Sequence, residues 1–204
     1  MNSDKLRKIK KIVSSLQVAN TELISNYEEG YLGKKVYDVT LNDGSRRKLE
    51  QITKHKGNGD AVVIVPITED GNFVMIIESR PNTKSTVALE FPAGMIDEGE
   101  NPDESAKREL LEETGYEATS IYELESHYQD QGCSKALIHT YIALDCKKIQ
   151  DKRLSGGERL EYIEMSYDEI LSVLRKEVSL GTEINDANTK IAFMEYTLKK
   201  RGIL

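Results

Sequence analysis

Cysteine is scarce in this chain, long apolar runs are missing and positive charge is in deficit. Each of these absences narrows what the protein can be. Two cysteines, Cys133 and Cys146, stand among 204 residues. That is too few for a disulfide framework and points to a reducing, cytoplasmic setting. Ordinary packing explains them better than metal ligation with His127 or His139. No apolar stretch approaches the ~20 residues that cross a bilayer, so no membrane partner is expected. The basic, mixed N-terminus lacks the apolar centre of a secretory signal. Lys and Arg number 28 against 35 Asp and Glu, a net charge of -7. This excludes a broad polyanion-binding surface, and no nucleic-acid partner is expected. A nucleotide ligand remains compatible, because bound metal and local arginines reverse the sign at a site. Repeats and low-complexity linkers are absent too. With 38% apolar and 31% charged residues, the chain suits one globular domain with a small extension.

Periodicity places the elements. Residues 1–18 read as an amphipathic helix, with Leu6, Ile9, Ile12, Val13 and Leu16 on one face. The run from Lys35 to Ile52 reads as a hairpin turning at Asn42-Asp43-Gly44. Strands are expected at 60–67, 73–78 and 87–91, then near 118–128, 136–145 and 160–165. Helices are expected near 167–176 and 185–200. Strands mixed with helices imply a sheet covered by helices on its faces.

One segment, Gly94 to Tyr116, carries far more information than the rest. Asn101 is a good N-cap, Pro102 suits the first helical position and Glu104 closes a capping box. Gly115 is a natural residue just past the helix end. Between them Glu109, Glu112 and Glu113 fall at i, i+3 and i+4 on one face. Like charges that close repel, and a divalent cation gives a reason to gather them. Mg2+ takes oxygen ligands, usually a few carboxylates plus substrate phosphates. Arg108 adds a cation that can hold a glutamate in place. Ala106 and Leu110 form a separate apolar stripe.

With these residues the segment resembles the signature of the Nudix hydrolase family, G-x5-E-x7-R-E-U-x-E-E-x-G-U, where U is a bulky aliphatic residue. Every fixed position matches except the last U, occupied by Tyr116. The resemblance extends over most of the chain and is strongest to the ADP-ribose pyrophosphatases. It runs through Gly59-Asp60-Ala-Val-Val-Ile-Val-Pro, Ile76-Ile-Glu-Ser-Arg80, Leu89-Glu90-Phe-Pro-Ala93-Gly94 and Gly181-Thr-Glu-Ile-Asn-Asp186. It implies the Nudix α/β/α sandwich with a mixed sheet over residues 57–204. Residues 1–56 would form an N-terminal helix and β-rich dimerisation unit. A homodimer is expected, because that unit has too little core to stand alone.

The resemblance also implies an activity and a site. The activity is metal-dependent hydrolysis of the pyrophosphate of a nucleoside diphosphate sugar, ADP-ribose favoured, giving a nucleoside monophosphate and a sugar phosphate. Mg2+ is the expected cofactor, with Mn2+ as the alternative. The Ala93 carbonyl, Glu109, Glu112 and Glu113 would bind metal, and Glu112 and Arg108 belong to the catalytic set. Glu100 would orient the loop that precedes the helix. Arg80 would hold a substrate phosphate by a forked contact. Glu158, in the loop Ser155-Gly-Gly-Glu158, is the expected general base, with Glu161 in reserve. Gly132 and Ser134 match a substrate-binding loop. In that loop Gln131 replaces the family's proline, and Ala136 replaces an acidic residue that contacts ligand in relatives. Two alternatives stay open: another nucleotide sugar such as a GDP-sugar, or a Nudix-fold binding module without turnover. No helix-turn-helix extension follows, which weighs against a DNA-binding regulator.

Overall fold

The computed structural model describes residues 3–54, 58–154 and 159–204. They divide into two compact units, Met1–Gly59 with Asp130–Ala136, and Asp60–Gln129 with Leu137–Leu204.

The first unit opens with helix α1 (Ser3–Leu16), followed by strands β1 (Val18–Glu28), β2 (Leu32–Leu41) and β3 (Arg46–Lys54). The strands form an antiparallel sheet in the order β1-β2-β3. The expected turn is present. Gly44 takes φ 84, and Asp43 Oδ1 accepts the Ser45 N–H at 2.9 Å. The same turn caps α1, since the Asn42 side-chain amide donates to the Ser14 carbonyl and the Asp43 N–H to that of Ser15. Between α1 and Lys35, where β1 lies, the sequence carries no strand pattern. Every residue of β1 is exposed, so no buried face imposed an alternation on its sequence. Apolar side chains are left open on both elements. Ile12, Val13 and Leu16 are 46–55% exposed, and Leu23 and Ile24 are 51% and 46% exposed. Val39 is already buried at 3%, so it does not join this open surface.

The second unit is a mixed sheet. Its spine is β11 (Leu160–Met165), β5 (Phe73–Ser79), β4 (Ala61–Thr68), β10 (Leu137–Lys148) and β8 (Tyr116–Glu117). Strand β6 (Val87–Glu90) pairs with β5, β7 (Ala93–Met95) with β4, and β9 (Ser120–Tyr128) with β10. The β4–β10 pairing is parallel, and the other pairings are antiparallel. Alternate residues of β4 feed two cores. Val62 and Ile64 pack with Ala106 and Leu110 of helix α2 (Pro102–Thr114). Val63 and Val65 pack with Phe73, Phe91, Ile170 and Phe193, and so with helices α3 (Tyr167–Leu174) and α4 (Ala187–Lys200). The unit is the expected α/β/α sandwich.

Helix α2 is fixed at both ends. Asn101 and Glu104 form the reciprocal capping box. At the other end Gly115 takes φ 77, and its carbonyl accepts the Ile149 N–H at 2.9 Å. The Arg153 N–H donates to the Glu112 carbonyl at 2.7 Å, so the chain leaving β10 satisfies the helix terminus. A Cβ at Gly115 would collide with the Gln150 carbonyl oxygen. Gly115→Ala should therefore lower stability by more than about 2 kcal/mol, from positive φ and the backbone clash together. Urea denaturation measures this, and a loss under about 0.5 kcal/mol would show that residues 149–151 do not rest on the helix end.

Candidate active site

The acidic face of α2 lies against β7, the strand entering the helix. The Ala93 N–H donates to Glu113 Oε2 at 3.0 Å. Glu113 is only 6% exposed, so this bond satisfies a carboxylate that burial would otherwise penalise. The Glu109 carboxylate lies where a Cβ on Gly94 would sit. Glycine is thus needed at 94 for close approach of helix and strand.

Arg108 gathers the rest. Its Nε and Nη2 fork onto Glu100 at 2.9 and 2.8 Å, and Nη2 also donates to the Met95 carbonyl at 3.1 Å. Nη1 donates to Glu109 at 2.7 Å and to Glu112 at 3.4 Å. Glu100 accepts further bonds from Ser105 Oγ and the Asp97 N–H. These bonds, Arg108's above all, outweigh burial and hold the Glu100 carboxyl down to about 2. Glu100 does orient the loop: it joins residues 95–97 to α2 through Arg108.

A second guanidinium stands at the end of β5. Arg80 Nε and Nη2 donate to Glu90 Oε2 at 3.1 and 2.7 Å, and Nη2 lies 2.7 Å from Glu78. Burial works against the Arg80 charge, but the Glu90 hydrogen bonds and the Coulomb attraction of Glu90, Glu78 and Glu113 outweigh it. Glu78 and Glu90 were not singled out in the sequence. Glu90 stands ten residues from Arg80 and twelve from Glu78 in the chain, and the β5–β6 register, which pairs Ile76 with Glu90 and Glu78 with Ala88, brings them together.

The expected residues are therefore brought together in part. Glu109, Glu112 and Glu113 share one face, and Arg80 joins that neighbourhood through its attraction to Glu113. Among the described residues, however, no three acidic, His or Cys side chains stand in ligating geometry. Arg108 and the Ala93 N–H engage these carboxylates instead. The donor set still suits a hard divalent cation, being carboxylate oxygen on a rigid helix with a glycine cradle beside it. Glu158 lies outside the described residues. Glu161 is on β11, with Oε1 2.6 Å from Lys152 Nζ and a side chain 78% exposed. It is a solvated ion-pair partner in this structure.

Gly132 and Ser134 belong to the first unit. Asp130 organises their turn, accepting the Gly132 N–H through Oδ1 at 3.0 Å and the Ser134 N–H through its carbonyl at 2.8 Å. The Ile52 N–H donates to the Cys133 carbonyl at 2.7 Å, which joins the turn to β3. Gln131 is exposed, but Ala136 is fully buried. A glutamate at 136 would bury a carboxylate at a cost of several kcal/mol. Tyr116, the one departure from the signature, packs edge-on against Tyr162 and donates to Glu164 at 2.6 Å.

Comparison with known proteins follows the same outline. Residues 57–182 match the NUDIX domain model. The ADP-ribose pyrophosphatase of Bacillus subtilis is 30% identical over 191 residues, covering 93% of this chain and 94% of its own length. A GDP-mannose pyrophosphatase of Cronobacter sakazakii is 30% identical, covering 91% of this chain and 98% of its own length. Among solved structures, an ADP compounds hydrolase superposes with a TM-score of 0.72 over 93% of this chain and 97% of that one, at 24% identity. At that identity the likeness speaks for the fold alone.

The Glu100–Arg108 fork makes stability pH-dependent. A carboxyl held below its unfolded value contributes stability above that value and loses it as pH falls. Glu100→Gln should be less stable than the parent above about pH 4.5, and the gap should close as pH falls toward 2. Thermal melts from pH 7 to 2.5 follow it. A gap that stays constant with pH would mean that Glu100 contributes shape and not charge.

Proposed function

Because this chain belongs to the Nudix family and is a pyrophosphohydrolase of that family, we propose that its substrate is a nucleoside diphosphate sugar, with ADP-ribose foremost. The products are a nucleoside monophosphate and a sugar phosphate. The observation that carries this reading is the gathering of carboxylates around two arginines. Glu109, Glu112 and Glu113 share one face of α2, Arg108 bonds Glu100, Glu109 and Glu112, and Arg80 bonds Glu78 and Glu90. Such a face invites divalent cations, and through them a pyrophosphate.

Mg2+, with Mn2+ as the alternative, is the proposed cofactor. It would be held by the Ala93 carbonyl with Glu109, Glu112 and Glu113, and would neutralise charge on the phosphates. The chain's own groups do the rest. Arg108 keeps Glu109 and Glu112 in place through Nη1. Arg80 meets a substrate phosphate. Glu158 takes the proton of the attacking water, with Glu161 as the reserve once it leaves Lys152. Gly132 and Ser134 contact the remainder of the ligand. The similarity to a GDP-mannose pyrophosphatase over nearly its whole length supports a GDP-sugar as the second reading.

The apolar side chains open on α1 and β1 support a homodimer formed through residues 1–56. Light scattering at micromolar concentration should give twice the 23.0 kDa of one chain, and a clean monomer rejects the dimer.

A panel of nucleotide sugars, dinucleotides and nucleoside triphosphates, assayed with Mg2+ and with Mn2+, tests the substrate. ADP-ribose should be turned over fastest, and a preference for triphosphates rejects the reading. On the same panel Glu112→Gln should keep its fold and lose several orders of magnitude in turnover, because a ligand charge is lost where phosphate charge develops. A folded variant with near-parental rates on every substrate removes the metal role.

A further inference from the structure

The carboxylate with the most direct hold on Arg80 lies outside the signature helix. Glu90 ends β6 and is 8% exposed. Its Oε2 accepts from both Arg80 Nε at 3.1 Å and Arg80 Nη2 at 2.7 Å, and Oε1 lies 3.4 Å from Nε. The backbone beside it is held as well. The Phe91 N–H donates to Thr189 Oγ1 at 3.0 Å, and Thr189 is itself 1% exposed at the start of α4. Glu90 is thus a fixed acceptor on a fixed strand. The guanidinium it grips is more mobile by nature, since arginine carries about 2 kcal/mol of rotamer entropy. Glu78 meets the same group at Nη2. The Nε edge is therefore oriented by Glu90.

A guanidinium presents its donors in one plane. Once Nε and Nη2 are committed to a carboxylate, the plane is set and so is the direction of Nη1. We propose that Glu90 is a positioning residue for substrate: it locks the Arg80 plane so that Nη1 meets a phosphate oxygen without further ordering. This rests on the reading of Arg80 as the phosphate-binding arginine. Pre-setting a donor saves the entropy of ordering it on binding. The effect therefore falls on binding more than on the chemical step.

The experiment compares the parent with Glu90→Gln, Glu90→Asp, Arg80→Lys and the double variant Glu90→Gln with Arg80→Lys. Arg80→Lys keeps a cation between Glu78 and Glu90, so the fold is retained, but it cannot be gripped by a fork. Two probes are read: ADP binding by calorimetry, which needs no turnover, and KM and kcat on the best nucleotide sugar. Glu90→Gln removes the charge and replaces one oxygen by an amide that cannot accept. It should weaken ADP and raise KM by about five- to twentyfold, with kcat within about threefold. Glu90→Asp should recover part of the loss. In the Arg80→Lys background Glu90→Gln should add less than about twofold, because the lock is already gone. Mn2+ binding should be unchanged throughout.

Three results overturn the proposal: ADP affinity and KM unmoved by Glu90→Gln, the same loss in the lysine background, or a fall in Mn2+ affinity that marks Glu90 as a cation ligand. Absence of ADP binding by the parent overturns it too. If no nucleotide sugar on the panel is hydrolysed while ADP binds and responds as expected, the substrate reading fails and the role of Glu90 stands.

Discussion

Two guanidinium groups bond five glutamates in one neighbourhood, and the remaining geometry of the site follows from that balance. Like charges about 4 Å apart repel by roughly 4 kcal/mol at the effective dielectric of a protein surface. Left to themselves, the glutamates of α2 would push away from β7 and from one another. Arg108 reverses this by bonding Glu100, Glu109 and Glu112 at once while anchoring to the Met95 carbonyl. Arg80 does the same for Glu78 and Glu90 at the strand ends. The two arginines are not spare parts for binding alone, because removing either takes the ion-pair partner from a largely buried carboxylate, Glu90 or Glu100.

The scaffold fixes where these charges stand. Alternation along β4 sends Val62 and Ile64 to α2 and Val63 and Val65 to α3 and α4. The helix bearing the glutamates is therefore held by apolar packing on one side while its acidic side meets Arg108 and β7. Gly94 and Gly115 mark the two closest approaches, one to Glu109 and one to Gln150. Between them lies most of the signature, and its spacing reflects these clearances as much as its charges.

Much of this was legible in the sequence because it is local. The capping box, the left-handed glycine and the shared face of Glu109, Glu112 and Glu113 are set within one helix. The strands of the sandwich declare themselves by apolar runs bounded by turns. What could not be read depends on register or on missing burial. Glu90 acquires a role only when β5 and β6 pair. Strand β1 has no buried face to pattern it. Ala136 looks like an altered ligand contact in a linear comparison, yet it is interior. The ion pair of Glu161 with Lys152 likewise appears only in the folded chain.

The turn at 130–136 rises from the β9–β10 hairpin of the larger unit but folds with the smaller one. The Cys133 carbonyl and Ser134 join it to Ile52 on β3, and Lys135 lies over the Tyr37 ring. A segment that reads as part of one module is thus inherited with another. Grafting this turn between relatives without strand β3 would separate it from the backbone that shapes it. Residues 46–54 and 130–136 form one exchangeable block for anyone recombining such chains, despite the long stretch of sequence between them.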